Sequence, residues 1–283
     1  MDFYHYLADF LKLAIQEDIG DGDHTSLATI PTDKTGNAKL MAKQEGIIAG
    51  LHIIEKVFKK IDNSAEFRSL IKDGDKVCVG DTIATISGNV ISLLQAERLA
   101  LNILQRMSGI ATQTNLYVQK LEGLKTKVLD TRKTTPGMRL LDKYAVKAGG
   151  GENHRIGLFD MILIKDNHID YAGGIANALE KTKTYLKDNN KQLKIEIETR
   201  SIDDVKKVLS IGGVDRIMLD NFSIEDTRKA VELIGDKAET ESSGGITIDN
   251  LRDYAECGVD FISVGALTHQ IKSLDISMLA IDY

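Results

Sequence analysis

The chain has 283 residues, 42% hydrophobic and 28% charged, with 24 glycines and only 2 prolines. At roughly 150 residues per domain this allows one or two domains with proper cores, and it excludes disordered, collagen-like and low-complexity chains. A formal charge of −6 disfavours nucleic acid and acidic membranes as partners.

The first 20 residues space Phe3, Leu7, Phe10, Leu11 and Ile15 three or four apart, which predicts an amphipathic helix. Its acids Asp2, Asp9, Glu17 and Asp18 argue against a signal peptide, and no uncharged apolar run approaches the roughly 18 residues of a membrane span. Cys78 and Cys257 have no paired-cysteine spacing, so a soluble, cytoplasmic protein in a reducing compartment is expected. A strand is predicted at 38–44 and a helix at 51–61. Residues 71–89, IKDGDKVCVGDTIATISGN, have the outline of a biotinyl- or lipoyl-type hairpin. Such carriers hold their group on a lysine in a tight hairpin, commonly beside Met, and the nearest Met, in Leu40-Met41-Ala42-Lys43, lies inside the predicted strand. Residues 92–123 read as one helix or two, with Leu99, Ile103, Leu104 and Met107 on one stripe. Ser108-Gly109 marks a break or a close helix contact.

The rest alternates short apolar β runs with helical segments: KVLD at 127–130, MILIK at 161–165, KIEIE at 194–198, RIMLD at 216–220, AETES at 238–242 and FISVG at 261–265. The last residues of the final four, Glu198, Asp220, Ser242 and Gly265, are 22, 22 and 23 positions apart, one βα unit each. Parallel strands with right-handed crossovers follow. Polar residues end these strands, the place where β/α barrels carry chemistry, and there is no GxGxxG fingerprint for a doubly wound nucleotide fold. The expectation is an α/β protein: an N-terminal α+β sandwich-like domain over 1–110, then an open β/α barrel of about six parallel strands over 111–269. The segment 270–283 is expected to pack back on the first domain.

Charge is uneven. Residues 130–168 carry seven basic and five acidic side chains, a local +2, so the rest of the chain carries −8. DTRKTTPGMR (Asp130 to Arg139) supplies Thr131, Arg132 and Lys133, ENHRIG (Glu152 to Gly157) supplies His154 and Arg155, and Lys165 ends the next strand. Cations converging on one barrel mouth call for a polyanionic ligand, and arginine forks suit carboxylates and phosphates. Glu198 and Asp220 end neighbouring strands, a pair suited to Mg²⁺ or sugar hydroxyls, with an ion pair to Lys165 as the plain alternative. Glu196, two residues deeper, ranks below them. Ser243, Gly244, Gly245 and Gly265 offer backbone N–H groups, each turn leading into a helix N-terminus, as a phosphate cradle.

Together these segments resemble the quinolinate phosphoribosyltransferase family, also called carboxylating nicotinate-nucleotide pyrophosphorylase. The resemblance is carried by EDIGDGDHTS (Glu17 to Ser26), AERLALNILQRMSGIAT (Ala96 to Thr112), DTRKTTPGMR, KAGGGENHRIGLFDMILIKDNHI (Lys147 to Ile169), LDN (Leu219 to Asn221), SGGI and SVGALTH. It implies transfer of phosphoribose from phosphoribosyl pyrophosphate to quinolinate with Mg²⁺ and loss of CO₂, a step of NAD synthesis. It also implies a homodimer or higher homo-oligomer in which Arg98 crosses to the partner's site. Arg132, His154, Arg155 and Lys165, with Thr131, would receive the quinolinate carboxylates, and Lys133 would receive pyrophosphate. Glu198 and Asp220 would take ribose hydroxyls or Mg²⁺, and Ser243, Gly244, Gly245, Gly265 and His269 the phosphates, with Lys133, Lys165, Glu198 and Asp220 as the catalytic set. Departures are Leu99 where Thr is expected, Ser242 where Ala or Val is usual, and His24 at a commonly apolar place. Two rivals remain: a related transferase of the molybdenum-transport type with another acceptor, and a lipoyl-like carrier resting on residues 71–89 alone.

Overall fold

A computed structural model describes residues 3–281; residues 1–2 of the predicted first helix and 282–283 of the C-terminal segment lie outside it. The chain divides into two compact units. One comprises residues up to Asn115 with 135–150 and the residues from Gln270, and the other comprises 116–134 with 151–269.

The first unit opens with helix α1 (Phe3–Ile19), which buries Leu7 and Leu11, and α2 (His24–Thr29), capped by the Asp23 carboxylate accepting from Ser26 N–H at 3.1 Å. Four strands form an antiparallel sheet in the order β12 (Ile276–Ile281), β1 (Thr35–Ala42), β5 (Thr82–Asn89), β3 (Glu66–Ser69). Alternate residues of β1, Ala38, Leu40 and Ala42, are buried, as a sheet with one covered face requires. Helix α3 (Leu51–Ile61) buries Leu51, Ile53, Ile54, Val57 and Phe58 on one stripe. Its first N–H groups have no local cap; Gly50 and Leu51 N–H both donate to Asp73 Oδ1, at 2.9 and 3.0 Å. A two-stranded pairing joins β2 (Gly46–Ile47) and β4 (Lys76–Val77). The turn after β4 is Cys78-Val79-Gly80-Asp81, so the turn itself offers no lysine and the carrier outline is not filled.

Helix α4 (Val90–Lys120) runs unbroken through Ser108-Gly109. A Cβ on Gly109 would stand 2.3 Å from the Lys272 carbonyl oxygen, so this glycine marks a close contact and not a break. Helix α5 (Arg139–Ala148) is held to α4 by Arg106, whose Nε and Nη2 donate to the buried Asp142 carboxylate at 3.0 and 2.8 Å.

The second unit is a parallel sheet in the order β6 (Lys127–Leu129), β11 (Phe261–Ser263), β10 (Glu239–Ser243), β9 (Arg216–Asp220), β8 (Ile195–Thr199), β7 (Ile162–Ile164). Strands adjacent in the chain, β6 and β7, stand at its two ends. That is a circular order cut open at one seam, and the expected open barrel of six parallel strands is the observed fold. Beyond β6 the seam is partly filled by one residue: Glu152 bridges Leu129, with Glu152 N–H to Val128 O at 2.8 Å and Asp130 N–H to Glu152 O at 3.1 Å. Helices α6 (Asp166–Ala172), α7 (Ile175–Asp188), α8 (Ile202–Ile211), α9 (Ile224–Ile234), α10 (Leu251–Ala255) and the single turn α11 (Ala266–His269) complete the βα units. Ser201 and Ser223 cap α8 and α9, accepting from Asp204 and Asp226 N–H. Among the described residues no helix is long and apolar enough to cross a membrane.

Candidate functional site

Every strand of the second unit runs the same way, so the ends of β6 to β11 present their following residues at one rim. Five of the expected residues stand there at once: Arg132 and Lys133 after β6, Lys165 after β7, Glu198 in β8 and Asp220 closing β9. Thr131 Oγ1 accepts from Lys133 N–H at 3.0 Å, a local turn that fixes the loop carrying the two cations. Arg155 lies beside Arg132. Burial and then the Arg132 charge lower the Arg155 pKa, while the carboxylates of Glu196, Asp160 and Glu198 oppose that shift.

Lys165 Nζ donates to Glu198 Oε1 at 2.6 Å, and Asp166 N–H donates to Glu198 Oε2 at 3.1 Å. The ion pair anticipated as the plain alternative is therefore formed, and it aims the lysine along the rim. Burial, followed by the charge of Glu198, raises the Asp220 carboxyl above its ordinary range. Two carboxylates at neighbouring strand ends that repel each other are a hard-oxygen donor set, and they fit a Mg²⁺ ion or a pair of hydroxyls.

The glycine turns hold their shape for identifiable reasons. Asn221, one of two non-glycine residues with left-handed backbone among those described, has φ 56°. Its amide donates to Asp220 Oδ2 at 3.0 Å, and its N–H donates to Ser243 O at 2.8 Å. Gly244 has φ 91°, and a Cβ there would lie 2.3 Å from Asn221 Oδ1. Gly265 is overlain by Lys133 and His269, whose atoms would stand 2.9 and 3.1 Å from a Cβ. Thr268 Oγ1 donates to Lys133 O at 2.7 Å and ties that loop to the end of β11. One expectation changes here. The turn at Ser243 to Gly245 does not enter a helix directly, since α10 begins only at Leu251, and α11 is a single turn. A cradle here would draw on the backbone N–H groups of the left-handed turn Gly244-Gly245 and of Gly265, which is not left-handed and leads into a single helical turn, rather than on helix dipoles.

His154 is buried, and its Nε2 stands 3.0 Å from Glu196 Oε2 and 3.6 Å from Glu241 Oε2. Arg216 Nη1 donates to Glu241 Oε2 at 2.8 Å. Burial pushes the carboxyls of Glu196 and Glu241 up to about 7. The three ligand-type atoms lie within 4.8 Å of one another, a spacing compatible with a metal ion. The Arg216 guanidinium already occupies one of these oxygens and offsets one of the two charges, so the trio suits an internal ion-pair network better than a divalent cation. Glu241 was not singled out from the sequence and Glu196 was ranked low. The usable signal was their period of two with Glu198 and Ser243, which puts them on the same face one layer below the rim.

Arg98 lies exposed on α4, in the part of that helix belonging to the first unit. His168, the other loop histidine, accepts from Lys165 N–H through Nδ1 at 2.9 Å and so has a local structural task.

The profile of the quinolinate phosphoribosyl transferase N-terminal domain matches residues 23–108, and that of its C-terminal domain matches residues 110–279. The chain is 45% identical over 283 residues to a chloroplastic carboxylating nicotinate-nucleotide pyrophosphorylase of Arabidopsis thaliana, covering 95% of this chain and 81% of that one. It is 44% identical over 262 residues to a probable carboxylating nicotinate-nucleotide pyrophosphorylase of Bacillus subtilis, covering 93% and 89%. Among solved structures, NadC from Streptococcus pyogenes superposes with a TM-score of 0.93 at 38% identity, covering 100% of this chain and 99% of that one.

Proposed function

The chain belongs to the quinolinate phosphoribosyltransferase family, and from that premise we propose that it transfers phosphoribose from phosphoribosyl pyrophosphate to quinolinate, releasing pyrophosphate and CO₂ and giving nicotinate mononucleotide for NAD synthesis. The observation that carries this reading is the gathering of Arg132, Lys133 and Lys165 with the carboxylates Glu198 and Asp220 at one rim of the parallel sheet, which fits a dianionic pyridine next to a sugar.

The pyridine nitrogen attacks the anomeric carbon as pyrophosphate leaves, so positive charge grows on the ribose and negative charge on the leaving group. Fixing the pyridine is chiefly positioning, the part assigned to Arg132, Arg155, Lys165 and Thr131, with His154 on the same side. Glu198 and Asp220 face the ribose, where they oppose the growing positive charge, and they are the residues that would hold Mg²⁺. When bound, Mg²⁺ supplies neutralisation of the pyrophosphate charge. Lys133, Ser243, Gly244, Gly245, Gly265 and His269 take the phosphates; the close approach of Lys133 and His269 over Gly265 supports grouping them. Once the ring nitrogen is quaternary, the adjacent carboxylate departs as CO₂. The electron pair left on that ring carbon is stabilised by the neighbouring cation until a proton joins it. Arg98, exposed on α4, is assigned to the partner's site in a homodimer or larger homo-oligomer. Free Cys78 and Cys257 support a reducing, cytoplasmic setting.

The test is CO₂ release by purified protein. It should require quinolinate, phosphoribosyl pyrophosphate and Mg²⁺ together. Equal turnover of nicotinate, which has one carboxylate, would defeat the dicarboxylate reading and favour an acceptor of another class.

A further inference from the structure

Arg155 is placed by a stretch of chain with no regular structure of its own. Glu152 pairs with β6 and Ile162 opens β7, and residues 153–161 between them belong to no helix or strand. Even so, His154 and Arg155 are each only 9% exposed. An arginine side chain has many rotamers, so its guanidinium meets an anion at one place only when the backbone beneath it is fixed.

Side chains do the fixing. Four consecutive backbone N–H groups, from His154 to Gly157, all donate to them. His154 N–H donates to the buried Asp130 Oδ1 at 2.9 Å, and Arg155 N–H to Nδ1 of the His154 ring at 2.7 Å. Ile156 N–H donates to Asp160 Oδ2 at 2.7 Å and Gly157 N–H to Asp160 Oδ1 at 2.8 Å. Both oxygens of one carboxylate are thus spent on the two residues that follow Arg155, in bonds about twice as strong as those between neutral groups. Two further contacts close the turn. Arg155 Nη1 donates to Met161 O at 3.2 Å, and Phe159 folds back so closely that a Cβ on Gly157 would stand 2.5 Å from its ring. The Asp160 charge also helps to keep the Arg155 guanidinium protonated against its burial.

Asp130 follows β6 directly and ties the segment to that edge of the seam, and Asp160 closes it just before β7. We infer that Asp160 is a positioning residue: by clasping the N–H groups of Ile156 and Gly157, with Asp130 holding His154 on the other side, it sets Arg155 for a carboxylate of the acceptor. The inference rests on the function proposed above for the identity of that acceptor, but not for the clasp.

Steady-state CO₂ release by Asp160→Asn and Asp160→Ala tests it, because both remove the charge while Asn keeps one oxygen to accept from one of the two N–H groups. Asp160→Ala should raise the quinolinate KM about tenfold and Asp160→Asn about threefold, with the KM for phosphoribosyl pyrophosphate changed by less than about twofold in either. A lower thermal midpoint with no separation of the two KM values would mean a structural role alone and would overturn the inference. Equal losses in the two variants would assign the effect to the charge of Asp160 and not to the clasp, which overturns it as well. Amide hydrogen exchange reads the clasp in the wild-type protein, with no variant and no substrate. The Ile156 and Gly157 amides should exchange at least about tenfold more slowly than those of the exposed Leu158 and Phe159, and equal exchange overturns the clasp. Absence of quinolinate turnover with those two amides protected would overturn the function, and with it the acceptor for which Arg155 is set, but not the clasp.

Discussion

Ser242 is the family departure with a structural price. It sits in β10 fully buried, and its hydroxyl has no hydrogen-bond partner, at a position where the family resemblance led us to expect Ala or Val. A buried hydroxyl left unsatisfied costs about 1–3 kcal/mol relative to one that is paired. Ser242→Ala removes that group and leaves only a small void, so it should stabilise the protein by about 1 kcal/mol, read as a higher midpoint in urea with an unchanged slope. A lower midpoint would mean that the hydroxyl is paired in solution. The rim residues were legible at this scale because charged side chains stood at strand ends on a regular spacing. Glu241 was not, since ESSGG reads first as a glycine turn, and only the strand register assigns its carboxylate to the layer beneath.

At the scale of elements, strand and helix positions followed closely from pattern: helix α3 and strand β9 fall on their predicted bounds, and the six barrel strands on theirs within a few residues. Strand β8 shows where pattern misleads. Ile195-Glu196-Ile197-Glu198 alternates as a strand with one wet face would, yet all five of its residues are buried because the acidic face lines the barrel interior. The Ser108-Gly109 ambiguity was beyond sequence reasoning, since a glycine that breaks a helix and one that admits a neighbour look alike until the neighbour is known. That neighbour is the C-terminal segment. Leu274 N–H donates to Gln105 O at 2.9 Å, Gln105 Nε2 donates to Ile276 O at 2.7 Å, and the Lys272 carbonyl lies over Gly109. Gly109→Ala therefore sets two effects against each other. Helix propensity gains about 1 kcal/mol, but a Cβ 2.3 Å from a backbone oxygen forces the segment to shift. Overpacking of this kind costs about 1–3 kcal/mol and exceeds the gain where, as here, the obstacle is backbone. Chemical denaturation should show net destabilisation, whereas the same exchange at an open helix position would stabilise.

For the whole molecule, a net charge of −6 was a poor guide to its ligands, because the site gathers cations at one rim of a sheet whose circular order no single strand reveals. Total charge does not describe the interior either, and the interior governs how stability responds to pH. Burial raises the carboxyls of Glu196 and Glu241 from an ordinary 4.5 to about 7. For Glu196 the charges of Arg216 and Arg155 pull the value down while Glu198 adds to the rise; for Glu241 the charge of Glu196 adds to it, while His154, Arg216 and Ser263 oppose it. Burial also raises Asp142 and Asp220. Between the unfolded and folded values the native state holds more protons than the unfolded chain, so the contribution of Glu196 and Glu241 is complete below about pH 4.5 and is lost as pH rises through about 7, and Asp142 and Asp220 act in the same direction. Asp73 acts in the opposite sense. Burial raises it, but hydrogen bonds from His52, Leu51 and Tyr144 carry it below its ordinary value, so its contribution disappears in acid. The thermal midpoint should therefore pass through a maximum near about pH 5 and decline toward about pH 8. Glu241→Gln takes one of the two interior carboxyls out of this balance and should flatten the decline on the alkaline side while leaving in place the acid limb, to which Asp73 and the likewise lowered Asp260 contribute. An unaltered alkaline slope in that variant would mean that the interior pair does not exchange its proton in this range.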